Sequence, residues 1–182
     1  MRKLAVVAYP TLSARDREWL EAIRSRYDPQ ALRIRAHFTF VFPTEVLREP
    51  FIAQVSRAAA RFKPVPFVLR RAVRFSDGGS SSSHVFLLLE EGRGELVALH
   101  DRLYDGVLQS HLRPEVPFVP HMTVAAHPTQ AECERIAEDL NREQRVVPGI
   151  VDGLDVIEVD ESMVRTLAKL PLGAHVGSTP DR

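Results

Sequence analysis

Two short strings hold the residue types that acid–base chemistry needs: His37-Phe38-Thr39-Phe40 and His121-Met122-Thr123-Val124. An imidazole titrates near neutrality, so one of two such rings can accept a proton while the other donates one. Cleavage of a phosphodiester uses both events, one at the attacking oxygen and one at the departing oxygen. The threonine two residues on adds a hydroxyl that can donate to a phosphoryl oxygen. On neighbouring strands all four groups would be restrained in position. Together they describe a compact anion site that calls for no metal.

A spacing of two is strand spacing. Ala36 to Phe42 and Val119 to Ala125 alternate, and successive side chains of a strand face opposite ways. Phe38, Phe40 and Phe42 are expected to face a core, leaving His37, Thr39 and Val41 on the other side. By the same rule His121 and Thr123 stand opposite Met122 and Val124.

The remaining elements must carry these two strands. Leu4 to Tyr9 reads as a buried strand closed by Pro10. Ser13 to about Tyr27 reads as a helix, with Ser13 as cap, Asp16 three residues on, and an apolar face of Trp19, Leu20 and Ile23. Asp28-Pro29 ends it. After Pro43 a second helix runs from about Arg48 to Phe62, and Val65 to Phe75 is a strand bent or interrupted by Pro66. Asp77 to Ser83 is the clearest loop; it serves as a hairpin connection or as a rim beside a ligand. Val85 to Leu89 is a buried strand and Glu95 to about Leu112 a helix. A helix from about Gln130 to Arg142 and strands from Val146 to Val159 and Met163 to Leu170 follow the second histidine strand.

The order repeats. Leu4 lies 33 residues before His37 and Val85 lies 36 before His121, while Pro64 and Pro148 each follow their histidine by 27. The expectation is an α+β fold: one bilobal domain, 1–182, with two pseudo-symmetric lobes of antiparallel or mixed sheets around a central cleft. Approximate internal repeats of 3–80 and 84–170 would share a duplicated β-α-β-α-β-β pattern. No glycine-rich turn opens a helix after a strand, which speaks against a doubly wound nucleotide fold.

Composition narrows the function. Lysine plus arginine and aspartate plus glutamate both number 24, so no broad nucleic-acid surface is indicated, although a local anion site is compatible with that balance. The 45% hydrophobic content supports a packed core, with no run long enough to cross a membrane. Cys133 stands alone, which excludes an intramolecular disulfide and a cysteine-rich zinc site; it reads as a small packed side chain. The first apolar run is too short for a signal-peptide core, so the cytoplasm is the default location.

On the residues His37 and Thr39, and His121 and Thr123, the chain resembles the two-histidine phosphoesterase superfamily, particularly its bacterial RNA 2',3'-cyclic phosphodiesterase or 2'-5' RNA ligase branch. Through their spacing and the repeated element order the resemblance covers most of the chain. It implies two lobes with both motifs on a central cleft. It also implies hydrolysis of an RNA-like 2',3'-cyclic phosphate, or another small cyclic phosphodiester, with 2'-5' ligation as the reverse reaction. His121 would be the general base toward water, His37 the general acid toward the leaving oxygen, and Thr39 and Thr123 would hold the phosphoryl group without a cofactor. The partner would be an RNA end or small cyclic phosphodiester and not a membrane; no protein partner is indicated, and a monomer fits.

One departure stands out. Some bacterial relatives have an arginine shortly after the second motif, where this chain has Ala126. Arg35 and Arg74 are candidates to supply replacement charge, and Phe118 is a candidate to stack on a base. A nucleotide or RNA-end binding protein without catalysis is the alternative. A metallohydrolase fits less well, because no carboxylate cluster accompanies the histidines. His127 reads as a loop-surface residue, and His84, His100, His111 and His175 lack matching partners.

Overall fold

A computed structural model describes residues 2–76, 83–114, 117–160 and 163–173. The loop expected at Asp77 to Ser83 lies outside the described residues except for Ser83, and so does His175. The strand β1 (Lys3–Ala8) leads through a two-residue strand β2 (Thr11–Leu12) into helix α1 (Ala14–Tyr27). Ser13 caps that helix, its hydroxyl accepting the Asp16 N–H at 3.1 Å. Then come β3 (Phe38–Thr44), α2 (Arg48–Ala59), β4 (Val65–Phe75) and β5 (Ser83–Glu91). The chain continues with α3 (Arg93–Leu103), a 3-10 helix (Gly106–His111), β6 (His121–His127) and α4 (Gln130–Arg142). It closes with β7 (Val147–Val151), β8 (Gly153–Val159) and β9 (Val164–Pro171). Among the described residues no helix is long and apolar enough to cross a membrane.

The strands form two sheets, ordered β3-β1-β8-β9 and β2-β7-β4-β5-β6, and every pairing is antiparallel. The fold class is thus α+β with two antiparallel sheets, and each histidine strand is the edge of its sheet. The stretch expected as one strand from Val146 to Val159 is two strands, because the chain passes from one sheet to the other at Asp152. Pro66 does not interrupt β4, because the pairing with β5 begins only at Val68 and the missing N–H is not needed there. The helices cross over. Helix α1 packs against β6 and α3 against β3, so each is seated on the other sheet's histidine strand, whereas α2 lies under β8 and β9 and α4 under β4, β5 and β6.

One apolar core serves both sheets. Phe38 of β3 meets Phe67 of β4 edge to face, with centroids 5.0 Å apart and planes at 86°, which joins one sheet directly to the other. Cys133 is buried in the same core, its thiol directed at the Ser83 carbonyl at 3.3 Å.

The alternation in β3 breaks where simple strand periodicity says it should continue. Val7 pairs with Thr39, Val6 with Val41 and Leu4 with Thr44, so β3 carries an extra residue on each side of Val41. These bulges turn Val41 inward beside Phe40 and send Phe42 out to solvent, correcting the expectation that Phe42 is core. β6 does the same at the equivalent place. Phe86 pairs with Thr123 but Val85 with Ala125, and Val124 and Ala125 are both buried. Both histidine strands therefore slip by one residue just after the threonine, which confines the polar pair to a short stretch.

Phe40 is 1% exposed and Phe42 51% exposed. Phe40→Ala is expected to cost about 3–5 kcal/mol of unfolding free energy and Phe42→Ala about 0.5 kcal/mol or less. Urea unfolding of the two variants checks this; equal losses would mean that the strand alternates without a bulge.

Candidate active site

Each histidine is held by the same device. His37 Nδ1–H donates to the Arg35 carbonyl at 2.7 Å, and His121 Nδ1–H donates to the Val119 carbonyl at 2.7 Å. A carbonyl can only accept, so the proton on each neutral ring sits on Nδ1 and Nε2 is left for proton transfer. The rings lie on the faces of their sheets turned away from the common core, because Phe38, Phe40, Met122 and Val124 occupy the core side. β3 and β6 are in contact, which brings the two edges together.

The two imidazoles are within electrostatic reach of each other. Burial pushes the His37 ring down to about 4; the bond to Arg35 and the Asp28 carboxylate oppose this, and the Arg24 guanidinium and the His121 ring add to it. Burial likewise lowers His121, countered by the Val119 carbonyl and reinforced by His84. Both rings are therefore neutral at pH 7 when no anion is present. A phosphate between them would favour their charged forms.

Around His37 the wall is polar. The Tyr9 ring meets His37 edge-on at 6.1 Å, and the Arg35 guanidinium lies 4.4 Å from the Tyr9 ring centre. Arg35 is thus one ring away from His37. Thr39 shares a cross-strand row with Val7, Asp155 and Lys169. Burial raises the Asp155 carboxyl, and Lys169, Arg35 and the Thr166 hydroxyl pull it back down.

Around His121 the wall is aromatic. His121 stacks on Phe86 at 3.6 Å and Phe86 on Phe75 at 4.8 Å, both at 21°, so a strip of rings runs from the imidazole to the exposed Phe75. His121 is also in register with Leu88, and Leu88 with Arg71. Arg71 is exposed and makes no ion pair with any described residue. Ala126 pairs with His84 in the same hairpin.

Two sequence expectations are corrected. Arg74 lies on the opposite face of β4, where its Nε is 3.0 Å from the Glu134 carboxylate of α4, so its charge is spent away from the histidines. Phe118 stacks on His100 at 3.9 Å and 6° and packs against Phe40 on the core side, so its ring is not presented to a ligand. Sequence reasoning missed Tyr9, Phe86 and Arg71. Phe86 would have emerged from pairing the strand at Val85 with the second histidine strand, which sets it opposite Thr123. Arg71 would not, because two register shifts immediately before it in the β4–β5 pairing break the alternation from Val68. Among the described residues no group of three histidine, cysteine or acidic side chains is placed to hold a metal ion.

Comparison with known proteins agrees with this arrangement. A family model described as the 2'-5' RNA ligase superfamily matches residues 11–162, a span that contains both histidine strings. A Bacillus licheniformis protein that carries a provisional phosphoesterase name is 31% identical over 123 residues, 68% of this chain and 70% of that protein. The structure of TT0787 from Thermus thermophilus superposes with a TM-score of 0.63 at 23% identity, covering 97% of this chain and 100% of that one. Escherichia coli LigT complexed with 3'-AMP superposes with a TM-score of 0.54 at 19% identity, covering 95% of this chain and 99% of that one. These structural likenesses concern the fold, whereas the family model spans most of the sequence: the chain belongs to the 2'-5' RNA ligase superfamily.

Proposed function

We propose that this protein is a phosphoesterase that opens RNA-like 2',3'-cyclic phosphates, or related small cyclic phosphodiesters, with two histidines and no metal. The observation that carries the reading is the matched pair of imidazoles, each with Nδ1 tied to the carbonyl two residues back and each followed by a threonine on its own strand. Membership of the superfamily supports phosphoesterase chemistry on RNA-related substrates at the coarser level.

In the forward direction His121 Nε2 takes a proton from water as the water oxygen bonds to phosphorus. The bond from phosphorus to the 2' or 3' oxygen breaks, and that oxygen takes the proton carried by His37 Nε2. Thr39 and Thr123 donate to the non-bridging oxygens, whose charge grows in the transition state. With a 5'-hydroxyl in the place of water, the same groups would join it to the cyclic phosphate: the 5' oxygen bonds to phosphorus as its proton goes to His121, the bond from phosphorus to the 3' oxygen breaks with that oxygen taking the His37 proton, and a 2'-5' linkage results. The ring strip that ends at Phe75 supports a base-bearing substrate, and Arg71 and Arg35 offer positive charge on the two sides where Ala126 provides none.

His37→Ala and His121→Ala should each lower kcat by about 10²–10⁴-fold on a 2',3'-cyclic nucleotide, with wild-type turnover unaffected by chelator. Normal turnover in both variants would end the acid–base reading. Saturable binding of cyclic nucleotide with no wild-type turnover would make the protein a binding module instead.

The depressed imidazoles set the pH behaviour. The kcat/KM profile reports the free protein, whose base and acid both titrate below the ordinary histidine value, so its maximum is expected on the acid side of about 6.5. The kcat profile reports the complex, where the substrate's negative charge raises both groups, so its maximum is expected at higher pH. Rate profiles with a cyclic nucleotide and a buffer series check the order; coincident maxima would contradict it.

Phe75→Ala removes the exposed end of the ring strip and leaves both histidines in place. KM for a cyclic nucleotide should rise about 5–150-fold, in line with about 1–3 kcal/mol per stacked base, with kcat little changed. An unchanged KM would take the base off this strip.

A further inference from the structure

The carbonyl that orients His37 is half of a peptide group whose other half is also held. The Arg35 C=O accepts the His37 Nδ1–H at 2.7 Å, and the Ala36 N–H of that same peptide donates to Glu21 Oε1 at 2.7 Å. Glu21 Oε2 is bound in turn by Arg24 Nη1 at 3.1 Å, and Arg24 grips Asp28 through Nε at 3.0 Å and Nη2 at 2.9 Å. Asp28 Oδ1 accepts the Gln30 N–H at 2.9 Å, which fixes the start of the loop that leads to His37. Arg24 and Asp28 are buried, and a buried charge of this kind is stable only when paired.

At the second histidine the corresponding peptide joins Val119 to Pro120, which has no N–H to donate. The supports that look alike at the imidazoles differ one bond further back. Donation of an amide N–H to a carboxylate polarises the amide and makes its oxygen a better acceptor. We propose that Glu21 is a positioning residue for His37, acting through the Arg35–Ala36 peptide as a carboxylate–peptide–imidazole relay that His121 lacks. The relay favours the Nδ1–H tautomer and stabilises the protonated ring, as a directly bound carboxylate does in other sites. Because α1, which carries Glu21 and Arg24, is seated on β6, the same network also ties His37 to the strand that bears His121.

The inference rests on the proposed reaction only for its effect on rate; the relay itself is tested without substrate. The charged and titratable groups around His37 are Tyr9 from β1, Arg35 in the preceding loop, Glu21 and Arg24 from α1 with Asp28 at its end, and His121 from β6. Glu21→Gln keeps an acceptor for the Ala36 N–H and removes the charge. Ring nitrogen NMR of the full-length variant at neutral pH should show a larger share of the Nε2–H tautomer at His37, and a titration midpoint about 0.5–1 unit below wild type, with His121 unmoved. Ring shifts at His37 that match wild type would overturn the relay. If the variant does not fold, wild type alone decides: the Ala36 amide proton should titrate with the His37 midpoint, and an amide blind to that midpoint overturns it equally. In rate assays Glu21→Gln should lower kcat about 10-fold with KM retained. A wild type that turns over no cyclic phosphate would sink the proposed function while leaving the NMR outcome to judge the relay.

Discussion

An imidazole on an edge strand points wherever the other face of that strand allows. Here that other face is nailed into one core by Phe38 and Phe40 on β3 and by Met122 and Val124 on β6, all essentially inaccessible to solvent. A slip of one residue in either strand would exchange histidine for an aromatic or thioether side chain, so apolar burial fixes the direction of the polar groups. Burying side chains of this size is worth about 1.5–3 kcal/mol each, more than a hydroxyl or imidazole on the other face could contribute to choosing the register. The Phe38–Phe67 contact extends the constraint from direction to distance, since it locks one histidine strand to the second sheet.

The exchange of helices reinforces this. With α1 behind β6 and α3 behind β3, neither histidine strand can move without disturbing the α-helix that precedes the other histidine strand in the chain. Two sheets each built from its own half of the chain could hinge freely. Here β8 and β9 from late in the chain pair with β1 from its beginning, and β4 from the first half pairs with β5, which continues the sheet to β6. Strands from both halves in each sheet suit a site whose two contributors must stay in register.

Much of this could be read from residue types, for physical reasons that also explain what could not. Alternation over Ala36 to Phe40 and Pro120 to Val124 follows from burial on a period of two, and helix α1 announces itself through Ser13 and Asp16. The rule stops at Phe42 because an extra residue in a strand leaves no mark in composition; only the pairing with β1 reveals it. Val146 to Val159 looks like one strand because Asp152-Gly153 could equally mark a bulge, and the change of sheet is a tertiary event. Phe118 lies close to His121 in sequence, yet Pro120 intervenes and the ring turns toward His100. Glu21, Arg24 and Asp28 sit at spacings of three and four on a helix, which ordinarily means a solvated face. Arg24 and Asp28 are nevertheless buried, and the loop from Pro29 to Ala36, which bonds Asp28 through Gln30 and Glu21 through Ala36, has no periodicity to read.

The two histidine strands are alike in motif and in the slip after the threonine and unlike in what surrounds them, and acid–base work by two like groups needs such a difference. Two imidazoles in equivalent settings would share a proton without preference, and neither would be committed to giving or taking it. Burial acts on both rings in the same sense and an arriving phosphate on both in the opposite sense. The groups behind the rings differ. Glu21, Arg24 and Asp28 together place a net negative charge behind His37, whereas His121 leans on Phe86 and a prolyl peptide, with no carboxylate among the described residues in direct contact. Arg24 lowers the His37 ring and Asp28 raises it, so in the proposed hydrolysis it is the bond from Glu21 through the Arg35–Ala36 peptide that would favour the proton on His37 and leave His121 to take one from water.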